Sequence, residues 1–288
     1  MTRKGIILAG GKGTRLAPLT LATTKCLLPI YDKPMIYYSI STLMLAGIEN
    51  ILIITTPEDS KAFQNLLGDG SNWGINLSFE IQPKPEGIAQ ALIIGETFVD
   101  GDPSCLILGD NLFYGDGLEE KLSSASQSEN NNLFSYKVHD PERFGICEID
   151  MNKKVISLEE KPLKPKSDLA VTGLYFYDQD ASEIAKSIQP SDRGELEITD
   201  VNIEYMKLNK LFSETLDQDF MWIDAGTNKS FLDASNFVFT TEKEQGIKVA
   251  CPEEIAFRKG LISKEKLEEL SHKISKSDYG KYLINLLK

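Results

Sequence analysis

A glycine-rich loop carrying two cations, and two aspartates at the ends of apolar runs, hold most of the chemistry this sequence can do. The run Leu8-Ala9-Gly10-Gly11-Lys12-Gly13-Thr14-Arg15-Leu16 follows the apolar stretch Gly5-Ile6-Ile7-Leu8. It reads as a buried parallel strand opening into a loop. Glycines there lack a Cβ, so backbone N–H groups can approach a phosphate closely. Lys12 and Arg15 add charge, and the guanidinium of Arg15 offers a planar fork of donors that suits phosphate oxygens. A nucleoside triphosphate is the implied ligand. The spelling excludes two familiar phosphate loops. A Walker A loop needs Ser or Thr after its lysine, where Gly13 stands, and the dinucleotide fingerprint needs a third glycine where Leu16 stands.

The apolar run Cys105-Leu106-Ile107-Leu108 delivers Gly109-Asp110-Asn111, and Met221-Trp222-Ile223 delivers Asp224-Ala225-Gly226. Two separated aspartates without His or Cys partners suit a hard ion such as Mg²⁺, which prefers carboxylate oxygens and retained water. Strand-end aspartates equally cap following helices, and the pattern alone leaves both readings open. With only His139 and His272 in the chain, a His-based zinc site or a Ser-His-Asp triad has little support.

These residues need a sheet to bring them together. Strands are expected at 5–9, 51–55, 77–81 and 105–108, alternating with helices at 35–46 and 87–98, the pattern of βαβ units on a mainly parallel sheet. Further strands are expected at 133–138, 146–149, 155–160 and 171–177, with a hairpin turn at 150–154. Helices follow at 197–208 and 228–244, and the amphipathic tail 262–287 reads as helical. Open α/β sheets bind ligands beyond the carboxyl ends of their parallel strands, where the loop and Asp110 would lie.

The 288 residues are 41% apolar and 26% charged, ordinary for a soluble globular chain with a sizeable core. A net charge of −12 argues against nucleic acid or an anionic membrane as partner. An acidic protein that handles phosphates must concentrate its cations locally or recruit a metal. No apolar run approaches the ~20 residues of a membrane span, and the four cysteines have no metal-ligand or close-pair spacing. A cytoplasmic protein with reduced thiols is expected.

The glycine loop, followed by Lys25-Cys26-Leu27-Leu28-Pro29-Ile30 and Asp32-Lys33-Pro34-Met35, resembles the sugar nucleotidyltransferases, especially those joining dTTP to glucose 1-phosphate. The likeness spans nearly the whole chain. It implies a Rossmann-like three-layer α/β/α fold in one domain: residues 1–130 mainly nucleotide-binding, 131–226 mainly sugar-binding, 227–288 C-terminal and helical. It implies Mg²⁺ on Asp110 and Asp224, with Arg15, Lys25 and Lys161 joining them in catalysis. Nucleotide contacts would come from Leu8, Gly10, Gly11, Gly13, Thr14, Arg15, Lys25 and Asp110, and base recognition from Gln82 and Gly87. Phe144, Gly145, Glu160, Lys161, Val171 and Tyr175 would hold the sugar phosphate; Glu195 is a further candidate, and Glu197 is read as structural. The implied reaction gives dTDP-glucose and pyrophosphate, opening a route to deoxysugars of the rhamnose type, in a homotetramer. A relative using UTP or another sugar 1-phosphate, and a non-catalytic nucleotide-sugar sensor, are the rival readings. Three positions depart from the family pattern: Cys26 for a usual Gln, Ala225 for a usual Thr, and Gln218 for an Arg of the family's regulatory site, of which Arg258 is kept.

Overall fold

The computed structural model describes residues 2–11 and 13–288. Lys12 lies outside them. The strands are β1 (Lys4–Leu8), β2 (Pro29–Ile30), β3 (Lys33–Pro34), β4 (Asn50–Thr55), β5 (Asn76–Ile81), β6 (Ser104–Leu108) and β7 (Asn111–Gly115). The second half adds β8 (Asn131–Lys137), β9 (Gly145–Ile149), β10 (Val155–Glu160), β11 (Leu169–Tyr177), β12 (Leu211–Leu216) and β13 (Phe220–Asp224).

A nine-stranded sheet runs β10-β9-β11-β6-β1-β4-β5, with β8 pairing β11 and β12 pairing β8. Strands β6, β1, β4 and β5 are parallel neighbours. β11 runs against β6, β8 and β9, while β12 runs with β8 and β10 against β9. Only β10 and β11, among the described strands of this sheet, therefore oppose the common direction: the sheet is mixed and mainly parallel.

Alternation along β1 shows why the sheet is a middle layer. Ile7 joins a core with Leu43, Ile53, Phe63 and Ile107, whereas Ile6 and Leu8 join another with Leu52, Ala91, Leu106, Val201 and Tyr205. Side chains along a strand point to opposite faces, so a strand covered on both sides must be apolar throughout. Helix Ile36–Leu45 covers the first face; helices Gln90–Ile94 and Ile198–Lys207 cover the second. The crossover expected as one helix is two, Gln90–Ile94 and Glu96–Val99, meeting at Gly95, where a Cβ would lie 2.7 Å from Ile6. The tail likewise divides into Lys264–Lys273 and Asp278–Asn285, the latter capped by Ser277.

β7 and β13 form a separate antiparallel ribbon in which Asn111 pairs with Asp224. Beneath it, Leu112 and Ala225 pack with Ile30, Tyr38, Ala234 and Val238. No helix among the described residues is long and apolar enough to cross a membrane.

Candidate active site

Register sets the site. Leu8 lies beside Ile54 and Leu108 across the parallel strands, so the glycine loop, Asp110 and Gln82 all leave the sheet at one edge. Strand β6 ends two residues before Asp110, and the ribbon returns Asp224 beside it. The backbone N–H of Ala225 donates to the Asp110 carbonyl at 3.0 Å. Neither aspartate caps a helix: Asp110 leads into β7, and Thr227 caps helix Asn228–Gln245.

Lys25 forms an ion pair with Asp110. Burial pushes the Asp110 carboxyl up, but Lys25 and the amide of Asn111 outweigh it and hold it below its ordinary range. Asp224 has no such ion-pair partner among the described residues. Burial and the charge of Asp110 push it up to about 6, against the pull of Lys25, Arg15 and Arg143. Arg15 reaches this corner: a Cβ on Gly226 would meet its Nη2 at 2.8 Å and Asp224 Oδ1 at 2.9 Å. The two neighbouring carboxylates are oxygen donors of the kind a hard divalent ion binds. No group of three or more His, Cys, Asp or Glu is arranged for a metal among the described residues, so substrate oxygens and water would complete its shell.

A cavity of about 610 Å³ joins this corner to a second set of groups, a size suited to a small-molecule ligand. Leu8, Gly10, Arg15, Lys25, Asp110 and Asp224 line it, and so do Phe144, Gly145, Glu160, Lys161, Val171, Tyr175 and Glu195. Gly145 and Glu160 are register partners across β9 and β10. Val171, Gly173 and Tyr175, at alternate positions of β11, all reach the same cavity. Glu160 accepts from Thr199 Oγ1 at 2.6 Å and pairs with Lys161 at 2.9 Å. Burial pushes Glu160 up, yet Thr199, Lys161 and Arg193 hold it below its ordinary value. Glu197 stays outside the cavity and pairs with Arg193 at 2.8 Å.

The remaining nucleotide candidates lie around the edge. Gly11 and Gln82 line a neighbouring cavity of about 650 Å³. Gly13, Thr14 and Gly87 line neither. Gly13, at φ 55°, packs against Thr20 and Lys25. Cys26 also reaches neither cavity; it lies buried under Gly109, and burial pushes its thiol up to about 12. Gly87 holds its loop against the neighbouring chain: at φ 112°, a Cβ there would lie 2.3 Å from the Leu196 carbonyl. Gly87→Ala is expected to cost about 1–3 kcal/mol of stability through forbidden backbone geometry, read by thermal melting.

Sequence reasoning did not single out Arg143, Arg193, Asn111, Trp222 or Thr199, all of which line the cavity. Asn111 is buried between the two halves: its Oδ1 accepts from Trp222 Nε1 and the Gly173 N–H, and its Nδ2 donates to Asp110 Oδ1 at 3.2 Å. Its place directly after Asp110 was the one available signal. Arg193 and Thr199 lie in the segment 193–200, which matches the family and reads as a turn feeding a helix, but neither takes a role in that reading; nothing in the sequence marks Arg143.

A sequence profile described as nucleotidyl transferase matches residues 4–241. The chain belongs to that family. Within it, this nucleotidyltransferase is 55% identical over 287 residues to a glucose-1-phosphate thymidylyltransferase of Xanthomonas campestris pv. campestris, covering 99% of this chain and 97% of that one. A protein of the same name from Neisseria meningitidis is 54% identical over 286 residues, covering 99% of each chain. Among solved structures, UDP-glucose pyrophosphorylase complexed with UDP-glucose superposes with a TM-score of 0.74 at 25% identity, over 84% of this chain and all of that one.

Proposed function

We propose that this nucleotidyltransferase makes dTDP-glucose and pyrophosphate from dTTP and glucose 1-phosphate. The observation that carries the reading is the single cavity in which Arg15, Lys25, Asp110 and Asp224 face Glu160, Lys161 and Tyr175. The near-full-length identity to thymidylyltransferases supports the choice of substrates.

In this scheme a phosphate oxygen of glucose 1-phosphate attacks the α-phosphorus of dTTP. A new P–O bond forms as the bond to the β-phosphate oxygen breaks, and pyrophosphate leaves with that electron pair. The attacking oxygen is already anionic, so no side chain need remove a proton. The protein's task is alignment and neutralisation of charge. Lys161 holds the sugar phosphate, Glu160 and Tyr175 face the hexose, and Arg15 and Lys25 stabilise charge on the transferring and leaving phosphates. Mg²⁺, held by Asp110 and Asp224, would add Lewis-acid neutralisation of the phosphate oxygens.

The four cysteines are free and buried, which suits the reducing cytoplasm. Helix Asn228–Gln245 exposes Leu232 and Phe239 on one face, the latter in edge-to-face contact with exposed Tyr31 at 5.4 Å. We assign this patch to contacts between copies in a homotetramer.

The deciding experiment is pyrophosphate release with glucose 1-phosphate and Mg²⁺, comparing dTTP, UTP, CTP, GTP and ATP. Highest kcat/KM with dTTP is the expected outcome. Preference for UTP would reassign the nucleotide, and silence with all five would overturn the reading.

A further inference from the structure

Gln82 is only 3% exposed, and its amide is not free to turn over. Its Nε2 donates to Gln90 Oε1 at 2.7 Å and to the Gly87 carbonyl at 3.3 Å, which occupies both hydrogens. Gln90 Nε2 donates in turn to Glu86 Oε2 at 2.9 Å, and the Glu86 backbone N–H faces Gln90 Oε1 at 3.4 Å. An ionised carboxylate can only accept. Glu86 therefore dictates which end of the Gln90 amide it meets, and Gln90 dictates which end of Gln82 it meets.

What remains is Gln82 Oε1, an acceptor to which no described residue donates. It lies against Gly10, where a Cβ would come within 2.6 Å of it. Gly10 lines the catalytic cavity and Gln82 the adjoining one, so this oxygen stands at the boundary between them. Only glycine at position 10 leaves room for it.

We propose that Glu86 and Gln90 form a hydrogen-bond relay that fixes Gln82 as an acceptor, and so selects pyrimidines bearing an N3–H. Thymine and uracil carry that hydrogen. Cytosine presents a lone pair at N3 and meets another lone pair. An unanchored glutamine could turn over and serve either base; the relay removes that freedom together with the Gly87 carbonyl, whose longer contact is the weaker of the two anchors. Glu86 and Gln90 are positioning residues here, acting through Gln82. The inference rests on the nucleotide reading above and deepens it.

The test is the ratio of kcat/KM for dTTP over dCTP in Gln90→Met, which removes the amide, and in Glu86→Lys, which replaces an acceptor by a donor. Each is expected to lower the ratio by about three- to tenfold, the scale of one hydrogen bond. Glu86 is exposed, so Glu86→Lys carries the test if Gln90→Met does not fold. An unchanged ratio in the folded variants, with both substrates losing kcat/KM together, would mean that the two residues only support the loop, and would overturn the relay. Equilibrium binding of dTDP and dCDP reads the same ratio without turnover. Loss of a parental dTDP preference in the variants supports the relay even if the parent transfers no nucleotide, an outcome that overturns only the proposed reaction. Equal binding of both diphosphates by the parent overturns the relay itself.

Discussion

Asp110→Asn is expected to lower kcat by about 10²-fold or more, the scale of one lost electrostatic stabiliser. The substitution preserves shape, so the effect isolates charge. Asp110 is the ion-pair partner of Lys25 and one of the two carboxylates facing the cavity. Its removal would take away half of the proposed metal donor set and leave Lys25 without the anion it pairs with. Arg15→Ala is expected to lose a comparable factor for a different reason, because in the proposed mechanism Arg15, which lines the cavity, stabilises charge on the phosphates. Steady-state pyrophosphate release, with thermal melting to confirm folding, reads both. Near-parental turnover in both variants would remove these residues from the mechanism.

The parallel half of the sheet was legible because burial on both faces leaves little choice of residue. A run such as Gly5-Ile6-Ile7-Leu8 has nowhere to be but inside, and the observed strand, Lys4–Leu8, differs from expectation by one residue at each end. The ribbon was harder. The apolar run ending at Asp224 was visible, but not its antiparallel partner Asn111–Gly115, because pairing between segments over a hundred residues apart leaves no local trace. Strand β12 escaped for the same reason: Phe212, Ser213 and Glu214 alternate too weakly to mark a strand, and its pairing with β8 is what creates it.

The site divides along a similar line. Asp110 and Asp224 stood out because each follows an apolar run, although the pattern alone left cap and metal readings open; Gly145 and Tyr175 were named only through the family resemblance. Arg143 and Arg193 did not stand out, since their roles depend on how loops fold back over the cavity. The helical breaks follow from contacts as well. Gly95 interrupts its helix where it presses on Ile6, and Ser277 starts a new one by capping the N–H of Gly280. A periodicity argument cannot see either event.

The largest stability effect is expected far from the cavity, at Glu242→Gln. Glu242 and Lys33 are both nearly inaccessible, and they pair at 3.1 Å. Lys33 also pairs with Asp32 at 2.7 Å, and Lys248 bridges Asp32 and Glu242. Glu242 Oε1 additionally accepts the Val249 N–H at 3.0 Å. Replacing such a network wholesale by apolar groups can be neutral, but removing one charge leaves the others desolvated without compensation, at a cost of about 3 kcal/mol. In a chain of this length that lowers Tm by roughly 6–12 °C. Glu269→Gln is the control: its pairs with Lys266 and Lys273 are exposed, solvent screens them, and Tm should not move. Raising salt should shrink any effect of Glu269 while leaving that of Glu242 largely intact, since buried charges escape screening. Equal shifts in the two variants would show that the network contributes no more than a surface pair. Its position gives the effect a functional edge. The network ties the β2–β3 hairpin, a few residues after Lys25, to the far end of the helix that begins just after Asp224. The two segments that flank the Asp110–Asp224 corner of the cavity are thus clasped at their distal ends, and loosening Glu242 is expected to lower the temperature at which activity is lost by as much as it lowers Tm.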